Sequence, residues 1–264
     1  MLKVENISKT FYKGSINEKI ALNNLSLTLG EGEFVTVIGG NGAGKSTLLN
    51  CISGVYEIDA GRIFLDGTDI SYSPEHKRSK YISRVFQDPL MGTAFDMTIE
   101  ENLAIAYAKG KPKGLRPGIS KADIALFREK LALLELGLED RVKEKVGRLS
   151  GGERQALTLL MATIVKPKLL LLDEHTAALD PVIAKRVLQL TDKIVEEEKI
   201  CTIMITHNMK AALDHGTRTI MMHEGKIIMD LDGKDKEGVT VEWLIEQFNR
   251  KSGTELDNDR MLLG

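Results

Sequence analysis

The chain has 264 residues, 42% of them hydrophobic, and sets 36 Lys and Arg against 38 Asp and Glu for a formal net charge of -2. That is enough apolar material for one packed domain with a subdomain, and it supplies no bulk basic field of the kind that draws nucleic acid. Cys51 and Cys201 are the only cysteines and sit in apolar surroundings, so they read as buried reduced thiols of a cytosolic protein. The amino terminus lacks the apolar stretch of a secretory signal, and no apolar run approaches the ~18 residues of a spanning helix. The chain is therefore expected to be soluble, with any membrane role exerted through a partner.

Taken in chain order, residues 2–30 are β-rich: Leu25, Leu27 and Leu29 alternate with Ser26 and Thr28, the period of a half-buried strand. Residues 33–38 form a denser apolar strand of the kind buried on both faces. Glycines follow, then a helix over 46–53 closed by Gly54. Asp66-Gly67 is a hairpin turn, and 81–86 form the next strand. From about 95 to 165 the texture turns helical. Ser120 with Asp123 makes a capping box for a helix that runs to Leu136, where Gly137 stops it. Residues 109–118, with two prolines and three glycines, read as a surface loop. Leu169 to Leu172, a helix over 184–198 and a strand over 201–205 then alternate, the mark of a parallel sheet flanked by helices. A hairpin turning at Glu224-Gly225, an amphipathic helix over 241–248 and a polar tail complete the chain.

Three short stretches carry the chemistry. Gly39-Gly40-Asn41-Gly42-Ala43-Gly44-Lys45-Ser46-Thr47 lies between a strand and a helix, so successive backbone N–H groups and the helix start can cradle a nucleotide's phosphates. Lys45 can reach the β- and γ-phosphates, and Ser46 offers a hydroxyl to Mg2+. About a hundred residues later comes Ser150-Gly151-Gly152-Glu153. Ser150 and Glu153 form a capping box, but two glycines are poor choices for a first helical turn. They make sense if another body approaches the backbone closely. Asp173 and Glu174 follow four leucines at a strand end, where ligands collect in open α/β sheets. There they suit holding Mg2+ and polarising an attacking water.

In combination, these motifs resemble the ATP-binding-cassette (ABC) ATPases, whose second glycine motif usually reads Leu-Ser-Gly-Gly-Gln; the resemblance runs from Leu2 to about Phe248. It implies a P-loop NTPase core with a parallel sheet, an N-terminal antiparallel β subdomain and an inserted α-helical subdomain: residues 1–94 with 166–250 as core, 95–165 as helical part, and 251–264 as a flexible tail. It implies a head-to-tail dimer closing over two ATP molecules, each lying between residues 39–47 of one copy and Ser150, Gly151 and Gly152 of the other. Gln87 matches the family's glutamine that contacts Mg2+ and water, His207 its γ-phosphate-sensing histidine, Asp180 its loop between the two sites, and Phe11 the aromatic that stacks on adenine. Two positions depart from the pattern. Glu153 stands for the usual glutamine, with Arg154 expected to offset its charge. His175 stands for a proline after the catalytic Glu174 and is expected to play a local packing or hydrogen-bonding role.

The resemblance points to the ATPase subunit of a transporter with separate membrane subunits, held at the inner face of the cell membrane through its permease. Pro89, Met91, Phe95 and Met97 are candidates for lining the groove that receives such a subunit. A free-standing ATPase chain is typical of importers, which implies an extracytoplasmic solute-binding protein as a further partner. The segments Met161-Ala162-Thr163 and 173–181 are similar to ATPases paired with lipoprotein receptors for tryptophan-type or undefined small solutes. An exporter subunit is the alternative. A soluble cassette acting on DNA or ribosomes is disfavoured by the single cassette and the short spacing between glycine motifs, and a module without turnover by the full set of hydrolytic residues.

Overall fold

The structure, a computed structural model, describes residues 1–109 and 118–252. The loop expected over 109–118 and the tail expected from 251 therefore fall almost wholly outside the described residues.

Two sheets form the scaffold. Strands β1 (Leu2–Phe11), β2 (Lys19–Leu29), β4 (Ala60–Leu65) and β5 (Thr68–Asp69) make an antiparallel sheet in the order β2-β1-β4-β5. In the carboxyl half of β2, Leu25, Leu27 and Leu29 are buried while Ser26 and Thr28 are exposed, as the alternation predicts. Strands β3 (Phe34–Gly39), β6 (Ile82–Val85), β7 (Leu169–Asp173), β8 (Cys201–Ile205), β9 (Arg218–His223) and β10 (Lys226–Asp232) make the second sheet in the order β10-β9-β3-β8-β7-β6. It is parallel except for the β9–β10 hairpin at its edge.

The leucine run of β7 shows why a parallel strand is apolar throughout. Leu169 and Leu171 join the core shared with the antiparallel sheet and α1 (Lys45–Ser53), while Leu170 and Leu172 join a second core on the opposite face. Each buried leucine contributes roughly 1.5–3 kcal/mol. The strand is thereby pinned from both sides, and its end, Asp173, is held in place. Cys51 and Cys201 are buried and unbridged, and burial pushes their thiols up to about 11 and about 12.

After the one-turn helix α2 (Glu75–Arg78), the chain between β6 and β7 is helical: α3 (Ile99–Tyr107), α4 (Lys121–Ala132) and α5 (Gly151–Thr163) enclose a core of their own that includes Leu103, Phe127, Leu131 and Leu157. All three helices begin with a capping box, at Thr98/Glu101, Ser120/Asp123 and Ser150/Glu153. Such caps contribute about 1 kcal/mol apiece.

Helix α4 ends at Ala132, four residues before the expected Leu136. Glu135 takes a left-handed φ of 53°, and its carbonyl accepts from the Arg186 guanidinium of α6 (Pro181–Glu198). The early turn places Leu134 and Leu138 in the helical core. Past the short helices α7 (Met209–Asp214) and α8 (Gly233–Lys236), α9 (Val241–Ser252) shares a core with α7, β9 and β10 through Leu244 and Phe248, so Lys251 and Ser252, read as tail from sequence, are helical.

Candidate functional site

The loop after β3 is shaped by what cannot be there. Gly44, the N-cap of α1, has φ 99°, and a Cβ on it would stand 2.4 Å from the Ala21 carbonyl oxygen. The loop thus presses on β2, and α1 points its free amides into a cleft of about 230 Å³. Lining that cleft are Asn41, Gly42, Ala43, Gly44, Lys45, Ser46 and Thr47, together with Phe11, Lys19, Glu174 and His207. Gly39 and Gly40 stand behind it, their carbonyls accepting from Lys45 Nζ at 2.7 and 3.1 Å. Burial pushes the Lys45 ammonium below the usual lysine range, with Glu174 and Asp173 opposing the shift.

The two carboxylates at the end of β7 have different surroundings. Asp173 Oδ1 lies 3.5 Å from Ser46 Oγ, and its Oδ2 lies 2.6 Å from an Arg84 nitrogen. Glu174 has a left-handed φ of 48°, with its N–H donating to the Ile205 carbonyl at 3.0 Å. This turn aims its side chain across the sheet, where Oε1 meets His207 Nε2 at 2.5 Å. His207 follows β8, the strand hydrogen-bonded beside β7, so the pair arises from register.

The donor set fits a nucleotide with its metal. Among the described residues no group of three His, Cys, Asp or Glu side chains could hold a metal by itself. One hydroxyl beside one carboxylate, at the foot of a phosphate loop, is what Mg2+ bound mainly by phosphate oxygens and water requires.

Phe11 stands at the cleft's rim, edge-on to Tyr56 at 5.3 Å, with Lys9 Nζ 5.7 Å from its ring centroid. The neighbouring Tyr12 does not line the cleft. Gln87 is exposed just beyond β6 and does not line it either. Asp180 caps α6, accepting from Val182 N–H at 2.9 Å. Ser150 and Gly152 border a different cavity, between α5 and α6.

Two sequence readings need correcting here, and three residues of the site went unread. Gly152 does not require a second molecule, because a Cβ there would come within 2.2 Å of Ile183 Cγ2 of the same chain; only Gly151, whose Cβ would meet nothing nearer than 3.6 Å, lacks an internal explanation. The charge of Glu153 is offset by Arg141, whose guanidinium donates to Glu153 Oε1, and not by Arg154, which donates to the Leu149 carbonyl and stacks over Phe95. Arg84, Asn50 and Lys19 escaped notice; a lone arginine inside the apolar strand β6 was the available signal.

His175 lies outside the cleft. It is 2% exposed, its Nε2 is 3.2 Å from Thr191 Oγ1, and the Thr191 hydroxyl donates to the Val187 carbonyl, so the histidine is the donor to Thr191. Burial, and secondarily His215, pushes its imidazole down to about 4.

Comparison with known proteins agrees with this architecture. The ABC transporter family model matches residues 22–177. A tyrosine transport ATP-binding protein of Clostridioides difficile is 47% identical over 94% of this chain and 98% of its own length. A phosphonates import ATP-binding protein of Lactococcus lactis is 32% identical over 96% of this chain and its full 100% length. Among solved structures, a dimeric ATP-binding cassette in a post-hydrolysis state with ADP and phosphate superposes with a TM-score of 0.74 at 28% identity, covering 88% of this chain and 98% of that one. The CbiO1 subunit of a Clostridium perfringens ABC transporter complex gives 0.75 at 27%, covering 95% and 94%. The chain belongs to the ABC transporter family and is an ATP-binding, ATP-hydrolysing cassette. Among the described residues no helix is long and apolar enough to cross a membrane.

Proposed function

We propose that the chain is the ATPase subunit of an importer, in which two copies close head to tail over two ATP molecules and drive separate membrane subunits. One observation carries this reading. The cleft gathers Phe11, the phosphate loop, Glu174 and His207, whereas Ser150 and Gly152 border another cavity of the same chain. In this reading the cleft is completed by Ser150, Gly151 and Gly152 of a second copy, with Asp180 beside the join.

In this reading Phe11 stacks on adenine, Gly39 to Thr47 wrap the phosphates, and Lys45 exchanges its loop carbonyls for the β- and γ-oxygens. Ser46 and Asp173, joined by Gln87 on closure, hold Mg2+, which when bound neutralises charge on the transferred phosphoryl group. Glu174 accepts a hydrogen bond from the attacking water. His207 keeps that carboxylate oriented and meets the γ-phosphate. The chain divides functionally into a core of 1–94 and 166–250 and a helical part of 95–165. Exposed Leu90, Met91 and Phe95, just past Gln87, offer the apolar surface for a permease loop at the inner face of the membrane. The 47% identity to a tyrosine transport ATP-binding protein supports an amino acid, and an aromatic one, as the solute, delivered by an extracytoplasmic binding protein.

The test is Glu174→Gln. Hydrolysis is expected to fall at least about a hundredfold while ATP traps a dimer visible by light scattering. Turnover at the wild-type rate would sink the mechanism. Co-purification of a permease, and loss of tyrosine uptake on deletion of the gene, test the transport assignment.

A further inference from the structure

Asp173 does not face its hydroxyl partner alone. Arg84, inside β6, donates one nitrogen to Asp173 Oδ2 at 2.6 Å and another to Asn50 Oδ1 of α1 at 2.5 Å. Its guanidinium carbon lies 4.8 Å from the centroid of the Phe86 ring. Both side chains of the ion pair are largely buried, 14% exposed for Arg84 and 13% for Asp173, so solvent screens the pair little. Reaching both partners leaves Arg84 Nε buried without a hydrogen bond, an arrangement that costs stability and that packing alone does not explain. The fork therefore links the phosphate-loop helix, the strand that leads to Gln87 and the strand that ends in Asp173.

We infer that Arg84 is a positioning residue for the metal-facing carboxylate: it occupies Oδ2, so that Asp173 presents a single oxygen, Oδ1, toward Ser46 and the divalent cation. The inference rests on the reading above that Asp173 and Ser46 hold the metal. Two consequences follow from the charge and shape of the guanidinium. Its positive charge beside the carboxylate weakens the attraction for a divalent cation. Its planar fork, bound at both ends, prevents Asp173 from rotating to offer both oxygens. The site gives up cation affinity and gains a fixed geometry, on which phosphoryl transfer depends more than on tight metal binding.

The experiment uses the full-length protein with Mn2+ in place of Mg2+ and the non-hydrolysable analogue AMP-PNP, reading Mn2+ affinity by electron paramagnetic resonance beside kcat and KM for ATP. Arg84→Met is expected to bind Mn2+ at least about threefold more tightly and to lose about tenfold in kcat, with KM moving less than about twofold. Arg84→Lys, which keeps the charge but cannot span Asn50 and Asp173, should hold Mn2+ affinity within about twofold and still lose several-fold in kcat. A merely structural arginine would lower the melting temperature and leave Mn2+ affinity where it was. If Arg84→Met fails to fold, Asn50→Ser frees one end of the guanidinium with its charge in place, and is expected to behave as Arg84→Lys does. Asp173→Asn separates the two readings. If it leaves Mn2+ affinity unchanged, the assignment of Asp173 to the metal fails and this inference with it. If it weakens Mn2+ binding while the folded Arg84 and Asn50 variants match the wild type in affinity and kcat, the inference about Arg84 alone is overturned.

Discussion

His175 sits beside Glu174 in sequence but is withdrawn from its chemistry by the backbone. Glu174 turns out through a left-handed φ, and the next side chain drops into the space under α6 to donate to Thr191. Its imidazole, pushed down from 6.5 to about 4, is neutral at pH 7. Between those two values the unfolded chain binds a proton that the folded chain refuses, so stability is lost as pH falls from about 6.5 to about 4 and is flat in this respect above and below that window. The window corresponds to roughly 3 kcal/mol at most. Urea melts at pH 7 and pH 4.5 should show a smaller difference for His175→Gln than for the wild type; an equal difference would mean the buried histidine is not the linked group. That a histidine after Glu174 would pack was legible from its replacing a proline. That it would be this hard to protonate was not, because the cause lies in burial by the surrounding core and, secondarily, in His215, distant along the chain.

At the level of elements, the strands could be read because their periods are simple: alternation in β2, continuous burial in β7. The starts of α4 and α5 could be read because their capping boxes are local. The end of α4 could not. Leu134, Leu136 and Leu138 continue an apolar pattern toward Gly137, which looks like the natural stop, but Arg186 takes the Glu135 carbonyl and the chain turns early. Arg84 escaped for the same reason, since its partner Asp173 is 89 residues away and only the sheet brings them together. The helical part has a core distinct from the sheet cores, centred on Phe127, which is fully buried and edge-on to Tyr107 at 5.8 Å. Phe127→Ala is expected to cost about 3–5 kcal/mol in denaturant unfolding. Its effect should fall first on the segment carrying Ser150, so hydrogen exchange in α5 should rise before that in β3. Simultaneous loss of protection in both would show one cooperative unit instead.

For the molecule as a whole, the two adjacent glycines of α5 separate folding from assembly. Gly152 answers to Ile183 of its own chain, so Gly152→Ala should lower stability by roughly 1–3 kcal/mol and be relieved by Ile183→Ala. Gly151 is exposed with room for a methyl group, so Gly151→Ala should fold at least as well, alanine being the better helix former by about 1 kcal/mol. In a Glu174→Gln background, ATP-induced dimerisation followed by sedimentation should nevertheless weaken by about tenfold or more in Gly151→Ala, if that backbone is where the second copy comes close. Wild-type assembly would remove the case for close approach at this residue.

The two buried thiols have a practical consequence. With Cys51 and Cys201 enclosed and burial pushing their thiols up to about 11 and about 12, the folded chain is expected to resist maleimides at neutral pH. A single cysteine introduced on the exposed surface near Asp180 would then be the only reactive handle. A fluorophore or spin label there would report the meeting of two copies in real time, in a protein that needs no prior removal of its own cysteines.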